Sequence, residues 1–344
     1  MMGGTGTGAK TMDGRTADVP LLCVERLSKQ FSLEAGFFAR NRRTVFAVND
    51  VSFSVARGGT YGIVGESGCG KTTTARLLIQ MYRQTSGRIL FYEEARAGGS
   101  AATDMEDVSQ FDRRRLRLYR EQVKYIFQDP AKSLNPRLRI LDILTDGLRY
   151  SSKWQGRSDA AALAADILQE VGLSPDDAFR RPAEFSGGQR QRISIARGLI
   201  MDPKLLICDE VVSALDVSVQ GQIINLLLDL REQRNLSVVF ITHDLKVACY
   251  FCDVIGVMYR GVLVEEAPAA TLYKDALHPY TKLLFGGVQE AGGASNLEVR
   301  TTLSEERCCP FAYRCPHADI RCRTEMPAFQ KCSDGHSVRC FFPG

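Results

Sequence analysis

At 344 residues, with 44% hydrophobic and 24% charged side chains, the chain has the make-up of an ordinary globular protein, with room for one sizeable core and a smaller appended unit. Its 44 Lys and Arg against 40 Asp and Glu leave a formal net charge of +4, too balanced to argue for a nucleic-acid partner. No apolar run approaches the ~18 residues of a membrane span and the start lacks the apolar stretch of a secretory signal, so the chain is expected in the cytosol, where disulfides are disfavoured.

Residues 1–19 are small and polar and are expected to form a disordered leader. "PLLCVERLSKQF" (20–31) and "TVFAVNDVSFSVA" (44–56) alternate apolar and polar residues like two half-buried strands, separated by the basic loop "FFARNRR". "TYGIVG" is a short apolar strand that enters a glycine-rich loop and then a helix, "KTTTARLLIQMYRQ". A strand at "RILFYEE" and a small, polar loop precede the basic helix "FDRRRLRLYREQ", whose Arg113, Arg114, Arg115, Arg117 and Arg120 read as a solvated face, and the strand "VKYIF". From about 138 to 184 the pattern is that of a helical insertion. "KLLICDE", "DVSVQGQIINLLLDLREQ", "SVVFITHD", "LKVACYF" and "DVIGVMYRGVLVEEA" then alternate strands with amphipathic helices, which implies a largely parallel sheet covered on both faces. At "HPYTKLL" (278–284) the alternation stops, and the tail from about 287, rich in Gly, Pro and Cys, suggests a small separate unit.

"GESGCGKTT" (65–73) fits G-x-x-x-x-G-K-[ST] between a predicted strand and a predicted helix, the context that pattern requires. Gly65, Gly68 and Gly70 let the backbone curl so that consecutive N–H groups, those of Glu66, Ser67, Cys69 and Thr73 among them, line a phosphate cradle at the positive end of the helix. Lys71 would neutralise the β- and γ-phosphates and the Thr72 hydroxyl would ligate Mg²⁺, with Cys69 contributing only its backbone. "LLICDE" (205–210) is an apolar strand that delivers Asp209 to the Mg²⁺ shell and sets Glu210 where it could polarise an attacking water. Two adjacent carboxylates at the end of a buried strand are costly unless a metal–nucleotide complex matches their charge.

"FSGGQRQRISIARGLI" (185–200) lies between these two motifs, and with them the chain resembles an ATP-binding cassette (ABC) ATPase from about residue 20 to residue 285. Phe185 stands where the family usually has Leu, and the Ser186, Gly187, Gly188 and Gln189 core of the signature is intact. A serine and two glycines at a helix start make a second anion site, and the resemblance implies that this signature closes over the ATP of a partner subunit. It also implies an α/β nucleotide-binding domain with a mixed core sheet, an antiparallel β subdomain, a helical subdomain over about 138–184 and a small cysteine-rich extension over 286–344. By the same resemblance Asp216 of "SALD" lies at the dimer seam, Gln128 of "YIFQDP" touches Mg²⁺ or water, and His243 of "ITHD" reaches the γ-phosphate. Phe31 resembles the aromatic that stacks on adenine, with Phe46 as its competitor. Val211 replaces the proline common after the catalytic glutamate, which is expected to loosen that turn slightly.

"IFQDPAKSLNPRLRI", "SALDVSVQGQI" and above all "HPYTKLL" with the later "CPFAYRCP" resemble the oligopeptide/dipeptide importer branch. In that branch Cys309, Cys315, Cys322 and Cys340 align with a tail pattern that in some members holds a [4Fe–4S] cluster. The C-x5-C-x6-C-x17-C spacing matches neither ferredoxins nor zinc ribbons, so iron–sulfur, zinc and plain thiols stay open, with His317 and His336 better read as packed or exposed than as ligands. The branch further implies a heterodimer with a second ATPase subunit, two transmembrane permease subunits, an extracytoplasmic substrate-binding protein and a peripheral place on the cytoplasmic face of the membrane. Peptides are the expected cargo, with nickel, glutathione and opine-like solutes open. The rival expectation is a soluble ABC ATPase acting on nucleic acid, ribosomes or cluster assembly.

Overall fold

The computed structural model describes residues 20–33, 43–92, 105–286 and 308–344; the predicted leader and most of the basic loop after Phe31 lie outside them. The strands are β1 (Leu22–Leu33), β2 (Arg43–Val55), β3 (Thr60–Val64), β4 (Ser86–Tyr92), β5 (Met105–Asp107), β6 (Val123–Ile126), β7 (Leu205–Asp209), β8 (Ser237–Thr242), β9 (Val254–Tyr259), β10 (Val262–Pro268), β11 (Gln330–Ser333) and β12 (His336–Val338). An antiparallel sheet runs β2-β1-β4-β5, and a larger mixed sheet runs β11-β12-β10-β9-β3-β8-β7-β6. Within the larger sheet β9, β3, β8, β7 and β6 are parallel neighbours, so their C-terminal ends share one edge. Strand–helix alternation requires this, because each crossover helix returns the chain to the same starting side.

The central strands β3, β7 and β8 are buried along their whole length. Their side chains divide by period two: Leu206, Cys208, Val238 and Phe240 enter one core, Leu205, Ile207, Val239 and Ile241 the other. Each fully buried aliphatic side chain contributes roughly 1.5–3 kcal/mol, so both faces must be covered.

α1 (Lys71–Leu78) follows β3, and α2 (Arg113–Gln122) precedes β6. The α2 arginines are all exposed as expected, and Arg120 also donates to the carbonyls of Ile79 and Gln80 and so closes the end of α1. The helical stretch comprises α3 (Pro130–Ser133), α4 (Ile140–Thr145) and α5 (Arg157–Glu170), which pack with α6 (Gly187–Leu199) through Ile140, Leu144, Ala164, Ile167 and Ile193. α7 (Val217–Arg234) and α8 (Leu245–Phe251) cover the sheet beside β8, and α9 (Ala269–Lys274) and α10 (Pro279–Gly286) follow the β9–β10 hairpin.

The described part of the tail shares a sheet and a core with the rest of the chain. β12 pairs with β10 through Glu265↔Val338 and Glu266↔Ser337, and β11 continues the edge. Cys309, Phe311 and Ala312, with Cys322 from α11 (Ile320–Thr324), are buried in the same core as Phe240 and Val257. A segment this short cannot bury a sufficient core alone.

Candidate active site

β3 ends at Val64 and the chain turns into the glycine-rich loop. At Gly65 a Cβ would lie 2.1 Å from the Met258 carbonyl oxygen, and at Gly70, with φ +111°, it would lie 2.2 Å from the Ala47 carbonyl oxygen, so both positions need glycine. Ser67 and Gly68 are exposed at the mouth of the loop, and a Cβ added at Gly68 would meet nothing within 4 Å. The Thr74 N–H bonds back to the Gly70 carbonyl at 2.9 Å; the preceding amides of Lys71, Thr72 and Thr73 lie at the open start of α1, where the helix has no internal acceptor for them. Cys69 is buried, its sulfur beneath Gly65 and its thiol pKa raised by burial, while its carbonyl accepts from Gly261 N–H at 2.8 Å.

Lys71 is 4% exposed and its Nζ donates to the carbonyls of Gly65 at 2.7 Å and Glu66 at 3.0 Å. The same Nζ lies 3.7 Å from Glu210 Oε1. Thr72 Oγ1 donates to Asp209 Oδ1 at 3.1 Å, and the Tyr125 hydroxyl donates to the other oxygen of Asp209. Burial, reinforced by the charge and hydrogen bond of Asp209, pushes the Tyr125 phenol pKa well above its ordinary value, so Tyr125 remains a donor. No motif pointed to Tyr125: its partner is 84 residues away in the sequence.

Glu210 takes the left-handed backbone region at φ +50° and its N–H bonds to the Ile241 carbonyl at 2.9 Å. Gln128 Nε2 donates to Glu210 Oε2 at 2.8 Å, and His243 Nδ1 lies 4.0 Å from Glu210 Oε1. In the turn after Glu210, where Val211 replaces proline, Val211 is buried, and Ser213 donates to the Glu210 carbonyl through both its N–H (3.2 Å) and its hydroxyl (2.9 Å). Lys71, Thr72, Gln128, Asp209, Glu210 and His243 thus stand together at the edge where the adjacent parallel strands end, the usual place for a ligand in such a sheet. The Thr72 hydroxyl and the Asp209 carboxylate are hard oxygen donors in contact with each other, a set that suits Mg²⁺.

Phe31 is 36% exposed, packed edge-on to Tyr82 at 5.6 Å with Lys29 Nζ 5.1 Å from its ring centre. Phe46 is half-buried, one residue before the Ala47 carbonyl that lies against Gly70. At the signature, Ser186 caps α6: its hydroxyl oxygen accepts from Gln189 N–H at 3.3 Å, and Gln189 Oε1 accepts from Ser186 N–H at 3.0 Å. The hydroxyl proton of Ser186 stays available. Ser186 and Gly187 are exposed, Gly187 and Gly188 lie against Leu215 and Val219, and Asp216 is exposed at the start of α7. Among the described residues no hydrogen bond joins this surface to the loop at 65–73.

The sequence model described as ABC transporter matches residues 48–213, and one described as the C-terminal region of oligopeptide/dipeptide transporters matches residues 264–322. The chain is 39% identical over 330 residues to the oligopeptide transport ATP-binding protein AppF of Bacillus subtilis, covering 93% of this chain and 96% of that one. It is 42% identical over 327 residues to a probable peptide ABC transporter ATP-binding protein of Sinorhizobium fredii, covering 93% and 89%. The chain belongs to the oligopeptide/dipeptide family of ABC transporter ATPase subunits. Among solved structures it resembles the ATP-binding cassette MJ0796, a dimer in a post-hydrolysis state bound to ADP and Pi, with TM-score 0.60, 25% identity, and coverage of 72% of this chain and 98% of that one. It is accordingly an ATP-hydrolysing subunit of a transporter, and the soluble nucleic-acid or ribosome reading is not favoured. Among the described residues no helix is long and apolar enough to cross a membrane.

The C-terminal part of this ABC subunit touches the phosphate loop, which no motif had indicated. The Tyr280 hydroxyl accepts from Glu66 N–H at 2.9 Å, and Arg314 of "CPFAYRCP" makes a two-pronged contact with the Glu66 carboxylate at 2.8 and 2.9 Å. Buried Glu265 on β10 accepts from Leu277 N–H (2.6 Å), His278 N–H (3.0 Å) and His336 Nε2 (2.8 Å), so His336 has a packing role as expected. His278 Nδ1 accepts from Tyr280 N–H at 3.0 Å, and burial holds the imidazole pKa down at about 4.

Cys309, Cys315, Cys322 and Cys340 line one small cavity together with exposed His317. The expectation of a [4Fe–4S] cluster is not supported there: among the described residues no three His, Cys, Asp or Glu are disposed to hold a metal. The cavity is about 10 Å³, roughly the room of one water, and so has no space for four irons as packed. Burial raises the thiol pKa of Cys309 to about 11 and also raises those of Cys315 and Cys340, which keeps them neutral. The resemblance singled out four thiols that line one cavity, but it could not report the size of the space between them.

Proposed function

We propose that this subunit holds MgATP on the loop Gly65–Thr73 and cleaves it with Glu210, Gln128 and His243, in a dimer whose second subunit completes each site with its signature. Lys71 and the amides of the loop bind the β- and γ-phosphates, and Phe31 stacks on adenine. Thr72 and Asp209, with Gln128 beside them, would hold Mg²⁺, which when bound supplies charge neutralisation between the phosphates. Glu210 orients a water for attack on the γ-phosphorus and takes its proton, while Gln128 and His243 hold that carboxylate and water in register. Ser186, Gly187, Gly188, Gln189 and Asp216 serve the ATP of the partner subunit.

The observation that carries this reading is the shared environment of Glu210, whose two oxygens face Gln128 on one side and Lys71 and His243 on the other. A base so placed is positioned without being neutralised by a tight ion pair.

The partner set is a second, different ATPase subunit, two transmembrane permease subunits and an extracytoplasmic substrate-binding protein, with this subunit peripheral on the cytoplasmic face of the membrane and peptides as cargo. The match of residues 264–322 to the oligopeptide/dipeptide transporter C-terminal region supports this, as do the relatives, which are ATP-binding proteins of peptide and oligopeptide transporters. The expected domain limits are 20–285 for the cassette and 286–344 for the extension. Isolation of the tagged chain from solubilised membranes, with partners identified and ATPase activity measured with and without peptide-loaded binding protein, tests the proposal. Permease co-purification and peptide-stimulated turnover are expected; ribosomes or DNA recovered without a membrane protein would overturn it. For the tail cysteines the geometry favours packed thiols, and about four irons and four sulfides per chain after anaerobic purification would restore the cluster.

A further inference from the structure

The contact between the tail and the phosphate loop joins residues 248 positions apart. Glu66 is the second residue of that loop, and three side chains hold it. Its N–H bonds the Tyr280 hydroxyl, its carbonyl accepts from Lys71 Nζ, and its carboxylate is forked by both terminal nitrogens of Arg314. Arg314 is itself fixed from below: its guanidinium carbon lies 5.8 Å from the Tyr259 ring centre and 5.7 Å from that of Phe311, and its Nη1 reaches the Tyr259 hydroxyl at 3.5 Å. Tyr259, Tyr280 and Phe311 form one aromatic cluster with ring centres 4.6 to 5.4 Å apart, seated at the end of β9 where Gly65 crosses it. The support is rigid, and it holds a charge.

A carboxylate is a poor neighbour for a triphosphate. Glu66 brings a negative charge into a loop whose work is to hold a polyanion, and Lys71, the cation of that loop, already rests on the Glu66 carbonyl. Left unpaired, the Glu66 carboxylate would compete for Lys71 and repel the incoming phosphates. A planar guanidinium satisfies both carboxylate oxygens at once, which an ammonium cannot do.

We infer that Arg314, on the cysteine-bearing tail, is a positioning residue for ATP: by neutralising Glu66 and anchoring the first turn of the phosphate loop it makes affinity for MgATP depend on the docked tail. The inference rests on the loop being the ATP site. Both partners are partly exposed, at 45% and 43%, so solvent screens the pair. The effect is correspondingly moderate.

The test is equilibrium binding of a fluorescent ATP analogue with Mg²⁺ to the full-length chain, with thermal unfolding of each variant recorded alongside. Arg314→Ala is expected to weaken binding about three- to tenfold, and adding Glu66→Gln to it is expected to restore affinity to within about twofold of Glu66→Gln alone. A role confined to holding the tail folded would lower the unfolding temperature and would not be relieved by Glu66→Gln. Binding by Arg314→Ala within about twofold of the parent, or a loss that Glu66→Gln leaves in place, would overturn the inference. If Arg314→Ala does not keep its fold, Arg314→Lys and Arg314→Gln carry the same question: lysine, which keeps the charge without the fork, is expected to lose less affinity than glutamine, and equal losses would overturn it. A parent chain that bound no MgATP would sink the site assignment along with the inference, a result distinct from all of these.

Discussion

Replacing Glu265 by alanine should release the tail from the sheet. Glu265 is fully buried, and its two oxygens accept from Leu277 N–H, His278 N–H and His336 Nε2, three donors on two separate pieces of chain. Alanine leaves those donors buried without an acceptor. Each unsatisfied donor costs about 1–3 kcal/mol, so the loss of one acceptor shared by three donors should cost about 3–5 kcal/mol in all. The Arg339 N–H, bonded to the Val264 carbonyl at 2.8 Å just beyond β12, reports on the opening directly. Hydrogen exchange at that amide should become faster by a factor on the order of a hundred to a few thousand, since each 1.36 kcal/mol is tenfold. Glu265→Gln, which keeps one acceptor oxygen, should show a smaller effect. Acceleration of less than about tenfold in the alanine variant would refute the view that this carboxylate ties the tail to "HPYT".

Other expectations concern turnover and pH. Lys71→Ala should lower ATP turnover on the order of a hundredfold or more, measured as phosphate release, because it removes the only cation seen against the loop carbonyls of Gly65 and Glu66 among the described residues. Glu210→Gln should still bind ATP while hydrolysis falls on the order of 10²- to 10⁴-fold and closed dimers accumulate in size-exclusion runs with ATP; rapid multiple turnover by that variant would remove Glu210 as the base. Phe31→Ala should weaken ATP binding by about 1 kcal/mol, and a loss seen in Phe46→Ala instead would transfer the adenine contact to Phe46. His278, held down at about 4 by burial against an ordinary 6.5, stays neutral in the fold while the unfolded chain takes up a proton. Its contribution is therefore fully present above pH 6.5 and is lost as pH falls toward 4, by about 3 kcal/mol in total. Unfolding of the parent and of His278→Gln, compared between pH 4 and 7, should show that difference closing as the pH drops.

Much of the site could be read in order along the chain, because its parts are local. "GESGCGKTT" must curl where glycines permit it and must start a helix, "LLICDE" must end a buried strand in two carboxylates, and Ser186 with Gly187 and Gly188 must open a helix with exposed N–H groups. Each depends on neighbours a few residues away, so spacing alone exposes it. Tyr125 on Asp209, Arg314 on Glu66 and His336 on Glu265 obey no such rule, for their partners lie 84, 248 and 71 positions off and meet only when the sheet is assembled.

The tail shows the division most clearly. Its sequence determined which four cysteines align with the family's tail pattern and that the segment is of the oligopeptide/dipeptide transporter type. Tertiary structure decided the rest: that β12 would extend the nucleotide-binding sheet, that the thiols would enclose about 10 Å³, and that an arginine between two of those cysteines would reach the phosphate loop. Local composition fixes which side chains are available, whereas sheet register and core packing, set by the whole chain at once, fix which of them touch.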